Sequence, residues 1–587
     1  MDAFDPILLI ALSLGASAVL ARLWRPRFRP PAHAPSLLLR DLGTTALLAG
    51  AGMAIVSGLH TAMDPRWLPM GQDWREFILL ALDIQSGGAH LPVPQRYPFY
   101  PWLAIQLAHA QGLPLYLGLM QLSLISAGLV PAALYTLGVQ LTRRPVAITG
   151  AVLSLFIPTV VAILGPPTDY LLHGLIHVLC LSAGTAALLR GGRWRFLGWG
   201  LSLGLLMAVT MKSLPVLLIA APLALVALGL SLKRAPRRTG WSALAMVLPG
   251  LLIWQIYAGQ KRWVLEAYTL DYNVYRTQVV VARSFGRTTQ MPTDLGWHPT
   301  DEKRMGYWGV GRAGAWQNLP RTLRFLARGP AQNLPRALRF QSAAEGLARA
   351  VRLPHPGWLV LALFGILAVG SRGQPPRMGR ALALVWVAGM TAAHLMGLMS
   401  TLYIPRYALV LLLPLPLLLL GGGAWVLERL VPTHQRHHDR PWWLLLVGTA
   451  VAIGLGKTAP GAMEMVSKST PEANELSLNV HEPFWNWRDG LTPQDEVVDL
   501  TENLIISDLV QGTGARVITV KSETTDIRLR PHGSGRRFLV LPGCLNMGTS
   551  ERVWSPHDSA PDRLAPIWTH LVEDTAPDTP LRVSRKP

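Results

Sequence analysis

Acids and cations recur at the borders of long apolar runs, and their types suit the transfer of a group away from a phosphate. The stretch GQDWREFILLALDIQSG (71–87) sets Asp73, Arg75 and Glu76 ahead of apolar residues. A carboxylate beside a hydroxyl or amine can take its proton, and a positioned general base contributes about 10²–10⁴-fold to a rate. Further on, QRYPFYPWLAIQLAH holds Arg96, Tyr97 and Tyr100 among prolines, and GPPTDYLLHGLIH holds Asp169. AVTMKSLPVLLI holds Lys212, and STLYIPRYALV holds Tyr403 and Arg406. Arginine can grip a phosphate bidentately and lysine as a point charge. Cations fixed where negative charge develops on a leaving phosphate stabilise its transition state. Charges beside hydrocarbon are costly and face a cavity or a partner.

Each of these residues also has a plainer reading. Asp73 and Glu76 form a D-x-x-E pattern before an apolar run, which is a helix-capping arrangement. The helix it would open lies on the outer surface, with Trp74, Phe77, Ile78 and Ala81 toward lipid and Arg75, Glu76 and Asp83 toward water. On these residues alone, cap and base both stay open. Asp169, His173 and His177 fall at i, i+4 and i+8, on one stripe of a helix. The outer two are about 12 Å apart along the axis, so the three cannot share one ion. A divalent metal at Asp169 and His173 remains open beside buried polar packing. RHHDR (436–440) reads as a solvated charge run, and Trp485 and Trp487 as interfacial anchors or a sugar platform.

The elements that must position these groups are membrane spans. Half of the 587 residues are hydrophobic, only 15% are charged, and mean hydropathy is +0.30. Soluble domains carry about 25% charged residues. A net charge of +20 would raise nucleic acid as a partner. Here the arginines cluster in short loops between apolar runs, which orients a membrane chain, and no nucleic acid is expected. Cys180 lies in an apolar run and Cys544 in a polar tail, so no intrachain disulfide is expected. The N-terminal run, with its arginines after it, reads as an anchor and not a cleaved signal.

About 12 spans of roughly 20 residues are expected, near 6–24, 41–60, 115–141, 146–165, 169–189, 196–211, 213–232, 241–258, 357–371, 380–400, 404–427 and 441–456. Every second connection is basic, among them TRRP, RGGRWR, SLKRAPRR and SRGQPPRMGR. By the positive-inside rule these are cytoplasmic. Loop 61–114, the GPPTD turn, loop 259–356 and the tail after 456 are then external. The expected fold is an all-α polytopic membrane domain over 1–456, followed by a small extramembrane α/β domain over 457–587. Loop 259–356 repeats NLPRTLRF (318–325) as NLPRALRF (333–340), which suits two short basic helices lying on the membrane. In the tail, DEVVDLTENLIISDLV has a helical pattern, while ARVITV and RFLVLP read as strands.

The order of these motifs resembles the GT-C class of polytopic glycosyltransferases, in the branch with protein O-mannosyltransferases and the lipid A aminoarabinose transferase. An acid in the first large outer loop is followed by RYPFYP, by PTD opening a span, by LSLGLLMAVTMKSLP and by YIPRYALVLLLPLPLLL. The resemblance covers roughly 41–428. It implies Asp73 as catalytic base, Asp169 as second acid, and Arg96, Lys212 and Arg406 as contacts to the donor phosphate, with Tyr97, Tyr100 and Tyr403 lining the substrate site. It implies a polyprenyl-phosphate sugar as donor, an envelope lipid, polysaccharide or protein as acceptor, inversion at the anomeric carbon, and no certain cofactor. The site would lie on the outer face of a cytoplasmic membrane if the source is bacterial. The chain departs from the class in three places. Arg96-Tyr97-Pro98 stands where Lys-Pro-Pro is frequent, Thr210-Met211-Lys212-Ser213-Leu214-Pro215 where Thr-Lys-Gly-Pro is frequent, and one extra span comes first. The competing function is a multi-pass transporter or flippase, for which a 6+6 internal repeat and groups at the midplane are expected; neither is visible in the sequence. A structural subunit of an envelope complex is a third reading.

Overall fold

The computed structural model describes residues 35–62, isolated positions within 77–85, 98–113, 115–164, 168–209, 213–232, most of 236–248 with 251 and 253, 340–353, 355–369, 377–399, 408–430 and, in the tail, short stretches between 487 and 584. The helices are α1 Pro35–Ala62, α2 Phe99–Gln111, α3 Leu115–Leu141, α4 Arg144–Leu153, α5 Pro158–Ala162, α6 Tyr170–Arg190, α7 Arg193–Val209 and α8 Ser213–Leu232. After a helical stretch at Thr239–Leu248 come α9 Phe340–Ala350, α10 Val360–Leu367, α11 Arg377–Met399, α12 Leu409–Leu412 and α13 Leu415–Leu430.

Five of the described segments are long and apolar enough to cross a membrane: Asp41–Ala62, Leu117–Leu141, Tyr170–Arg190, Arg377–Leu395 and Leu409–Val426. Shorter apolar helices at Arg144–Phe156, Ile219–Leu230, Thr239–Leu248 and Pro356–Leu367, together with α7, fall on the other expected spans. The spans read at 6–24 and 441–456 lie outside the described residues. The span expected at 146–165 is interrupted. A 3₁₀ turn at Ser154–Phe156 is followed by Ile157 in an extended conformation, which Pro158 imposes on its predecessor. Leu413 and Pro414 likewise form a turn between α12 and α13, since Pro414 has no N–H to continue the ladder.

The centre of the bundle is α3 and α6. α3 packs against α1, α2, α4 and α6, and α6 also against α7 and α11. All but one of the α6 residues from Tyr170 to Leu189 are buried, so the helix is enclosed on every side, as a central helix of a bundle is. Backbones touch where glycines allow it: a Cβ on Gly422 of α13 would strike the Leu361 carbonyl of α10, and one on Gly365 would strike that of Leu418. Leu225, Val226 and Leu230 of α8, Leu244 and Val247, and Leu363 and Val385 are exposed, an apolar outer surface suited to lipid.

One end of the bundle is basic. Asp41 at the start of the first span accepts from Tyr135 (2.9 Å) and pairs with Arg144 (2.9 Å). The α6–α7 turn runs through Gly191 and Gly192, both at positive φ, and Arg195 donates to the Gly191 carbonyl. The start of α11 lies against the end of α6, since Gly379 approaches the Leu188 carbonyl. The described parts of the TRRP, RGGRWR and SRGQPPRMGR loops, expected to be cytoplasmic on charge, therefore share one end.

The tail is mainly strand where it is described. β1 Glu496–Asp499, β2 Arg516–Thr519, β4 Arg537–Leu541 and β7 His570–Asp574 form a sheet in the order β2-β1-β4-β7, with β1 parallel to β2 and β4, and β7 antiparallel to β4. β3 Asp526–Leu529 pairs with β8 Leu581–Ser584, and β5 Met547–Gly548 with β6 Val553–Trp554. The expected strands at ARVITV and RFLVLP are β2 and β4. The helical reading of DEVVDLTENLIISDLV fails at its start. Glu496–Asp499 is the central parallel strand, with Val497 and Val498 wholly buried and Glu496 held by Arg537 at 2.8 Å. An apolar pair in a strand buried on both faces carries no period that would mark it.

Helix α9 begins at the last residue of the second NLPR repeat. It buries Ala343, Leu347 and Ala348 and packs against α11, so its apolar face meets protein. Residues 318–339 lie outside the described residues.

Candidate functional site

Away from the basic end, a buried chain of contacts joins three segments of the expected outer face. Tyr100, in the first turn of α2 between Pro98 and Pro101, is 1% exposed. Its Oη lies 2.7 Å from the Leu119 carbonyl and 2.8 Å from Ser123 Oγ, both on α3. Ser123 Oγ lies 3.0 Å from the carbonyl of Thr168, the residue before Asp169. With one proton on each hydroxyl, Tyr100 donates to Leu119 or to Ser123, and Ser123 is free to donate to Thr168. Burial raises the phenol pKa far above its ordinary value; the Ser123 bond opposes this and the charge of Asp169 adds to it. Tyr100 is therefore a neutral donor at any physiological pH.

Phe77 meets Tyr100 edge to face, with ring centroids 5.0 Å apart at 71°. Phe77, Leu80 and Ala81 are each wholly buried. This corrects the expectation that Phe77 and Ala81 face lipid. Phe77, Leu80 and Ala81 turn onto the bundle, where Tyr100 offers Phe77 an aromatic partner.

Asp169 is half-buried at the N-cap position of α6, and its carbonyl accepts from the His173 amide at 2.8 Å. Its side chain makes no capping bond. One turn along, Leu409 of α12 and Leu413 just beyond it lie against Gly174. Leu409 follows Arg406 by three residues. α2 also packs against α7, whose last residue, Val209, precedes Lys212 by three, and Ser213, next to Lys212, opens α8.

Of the eight sequence-derived site residues, Tyr100 and Asp169 are described. Asp73, Arg96, Tyr97, Lys212, Tyr403 and Arg406 lie outside the described residues. What the fold does place are their flanks, and contacts join the flanks of Asp73, Arg96, Asp169 and Arg406 around α3 and the start of α6. Ser123 and Thr168 were absent from the sequence reading. A serine within an apolar run, in LMQLSLISAG, was the available signal.

His173 and His177 of α6 meet a third buried imidazole, His394 of α11, which sequence spacing could not reveal. Ring centroids are 6.5 Å apart for 173–177, 6.2 Å for 173–394 and 4.4 Å for 177–394. Among the described residues no group of three or more His, Cys, Asp or Glu stands where it could hold a metal ion.

No known family profile matches the chain, and no curated protein matches it. Solved structures similar to it include the oligosaccharyltransferase of Archaeoglobus fulgidus in complex with zinc and sulfate (14% identity, TM-score 0.40, 80% of this chain and 62% of that one). AglB from the same organism, with an inhibitory peptide and a dolichol-phosphate, is 13% identical (TM-score 0.40, 80% and 64% covered). ArnT from Cupriavidus metallidurans bound to undecaprenyl phosphate is 12% identical (TM-score 0.43, 84% and 92% covered). The chain thus spans under two thirds of the archaeal enzyme's length. With TM-scores below 0.5 these likenesses carry no inference about mechanism, and the functional reading stands on the chain's own residues.

Proposed function

We propose that the chain is an integral-membrane glycosyltransferase of GT-C type. It moves a sugar from a polyprenyl-phosphate donor to an envelope acceptor on the outer face of the membrane, with inversion. Asp73 takes the proton from the acceptor's hydroxyl or amine, Lys212 and Arg406 hold the donor phosphate, and Arg96 stands at the mouth of the site. Asp169 is the second acid, and Tyr97 and Tyr403 border the substrate, while Tyr100, buried against α3, stands behind them. The observation that supports this most is the buried chain Phe77–Tyr100–Ser123–Thr168. It ties together the flanks of an acid, of a cation and of a second acid. A lipid-linked donor has its phosphate at the membrane surface, so groups that act on it belong at a border between polar and apolar surroundings. Displacement with one base and no nucleophile on the sugar's far face gives inversion.

The test is release of polyprenyl phosphate from a lipid-linked sugar by the purified chain in proteoliposomes. Release that depends on an acceptor is the expected result. Transport of the lipid-linked sugar without release would make the chain a flippase. Mass spectrometry of envelope glycolipids, polysaccharides and proteins with and without the gene would identify the acceptor.

A further inference from the structure

We propose that Ser123 and Tyr100 are positioning residues, which hold the segment after Asp73 and the turn carrying Asp169 in one fixed relation. The kinetic consequence rests on the glycosyl-transfer reading above; the holding itself does not. A serine inside a helix ordinarily returns its proton to the carbonyl four residues back. Ser123 does stand 3.3 Å from the Leu119 carbonyl, but it stands closer, at 3.0 Å, to the Thr168 carbonyl, 45 residues on in the chain. Thr168 is buried, and its carbonyl precedes the first bond of α6, which starts from the Asp169 carbonyl. A buried carbonyl outside the helix ladder needs a donor, and Ser123 is in place to supply it. The same hydroxyl meets Tyr100, and Tyr100 presents its ring to Phe77, four residues after Asp73. The three segments come from sequence positions far apart; the buried Ser123 hydroxyl on α3 joins two of them, and the Tyr100 ring joins the third. These residues do not touch the substrate; they act through Asp73 and Asp169.

The experiment compares Ser123→Ala and Tyr100→Phe with wild type and with Ser126→Ala. Ser126 is a buried serine on the same helix that bonds only to its own i−4 carbonyl, Leu122, among the contacts described. Turnover and donor KM are measured on the full-length protein with a polyprenyl-phosphate sugar, and amide hydrogen exchange is followed in peptides covering 77–85 and 163–171. Positioning predicts that Ser123→Ala and Tyr100→Phe lower kcat by about 10- to 100-fold, the scale of a small misplacement of reacting groups. Donor KM should change by no more than about twofold, since ground-state binding is untouched. Exchange should quicken in the two peptides, while Ser126→Ala stays as wild type in every readout. Wild-type kcat in both variants, with Asp73→Asn inactive, would overturn the positioning role and leave the glycosyl-transfer reading standing. If the wild-type chain releases no polyprenyl phosphate, that reading fails and the holding role is decided by exchange. Faster exchange confined to the two peptides upholds it, and unchanged exchange overturns it.

Discussion

Replacing Phe77 with alanine separates two placements of the helix that follows Asp73. If Phe77 faced lipid, as its sequence pattern suggests, the change would remove a ring from a fluid surface and leave packing intact. In the structure the ring is wholly buried and set edge-on to Tyr100 at 5.0 Å. Truncating a buried Phe to Ala costs about 3–5 kcal/mol, part of it transfer and part the cavity left behind. The edge-to-face contact with Tyr100 accounts for about 0.5–1.5 kcal/mol of that. A lipid-exposed reference would remove the transfer part and leave the cavity and ring contacts. Even about 3 kcal/mol is roughly a hundredfold in an opening equilibrium, at 1.4 kcal/mol per factor of ten. The assay is hydrogen exchange of the amides in 98–111, read as local opening of α2 against its neighbours. Phe77→Ala should raise exchange there by roughly a hundredfold, with Phe77→Leu recovering much of the protection because it keeps most of the volume. A cysteine at 77 should resist maleimide in the native protein. Wild-type exchange in Phe77→Ala, or rapid labelling of that cysteine, would return the helix to the lipid surface and remove the contact on which the site's assembly depends.

Asp73→Asn keeps the capping ability of the aspartate, since Asn and Asp cap about equally well, so the helix should survive while turnover falls by about 10²-fold or more; wild-type turnover in a folded variant would leave Asp73 a helix cap. Neutralising Lys212 or Arg406 should weaken donor binding, measured by titration with a polyprenyl phosphate, and unchanged affinity in both variants would remove them from the site. In the tail, burial of Asp495 favours its neutral form, but hydrogen bonds from Arg536 and Thr492 outweigh this and hold the carboxyl well below the usual range. A depressed folded-state pKa contributes stability that is present above the unfolded value of about 3.9 and is lost as pH falls below it. Protease resistance of the tail should therefore decline between about pH 4 and lower values, and Asp495→Asn should flatten that decline. Single cysteines near 143 or 437 should resist impermeant labelling in intact cells while one in the tail reacts; the reverse pattern would put the site on the other face.

Membrane spans were legible in the sequence because the bilayer sets their length and excludes charge, so α1, α3, α6 and α11 fall within a few residues of where apolar runs begin and end. The common end of the described parts of three basic loops was legible too, since arginine distribution separates loops by side. Strands β2 and β4 showed through β-branched runs bounded by turns, whereas β1 did not, because a strand buried on both faces has no alternation to read. For the candidate site, sequence gave residue types and order: an acid, a cation among prolines, a second acid. It could not show which face of the helix after Asp73 meets protein, because Phe77 and Ala81 are as apolar toward lipid as toward a core. Nor could it pair Ser123 with Thr168, or His177 with His394, more than 200 residues away. Those contacts join segments that are distant in the chain, and local pattern reports only a residue's own element. Which polar group answers a buried carbonyl is decided when helices pack.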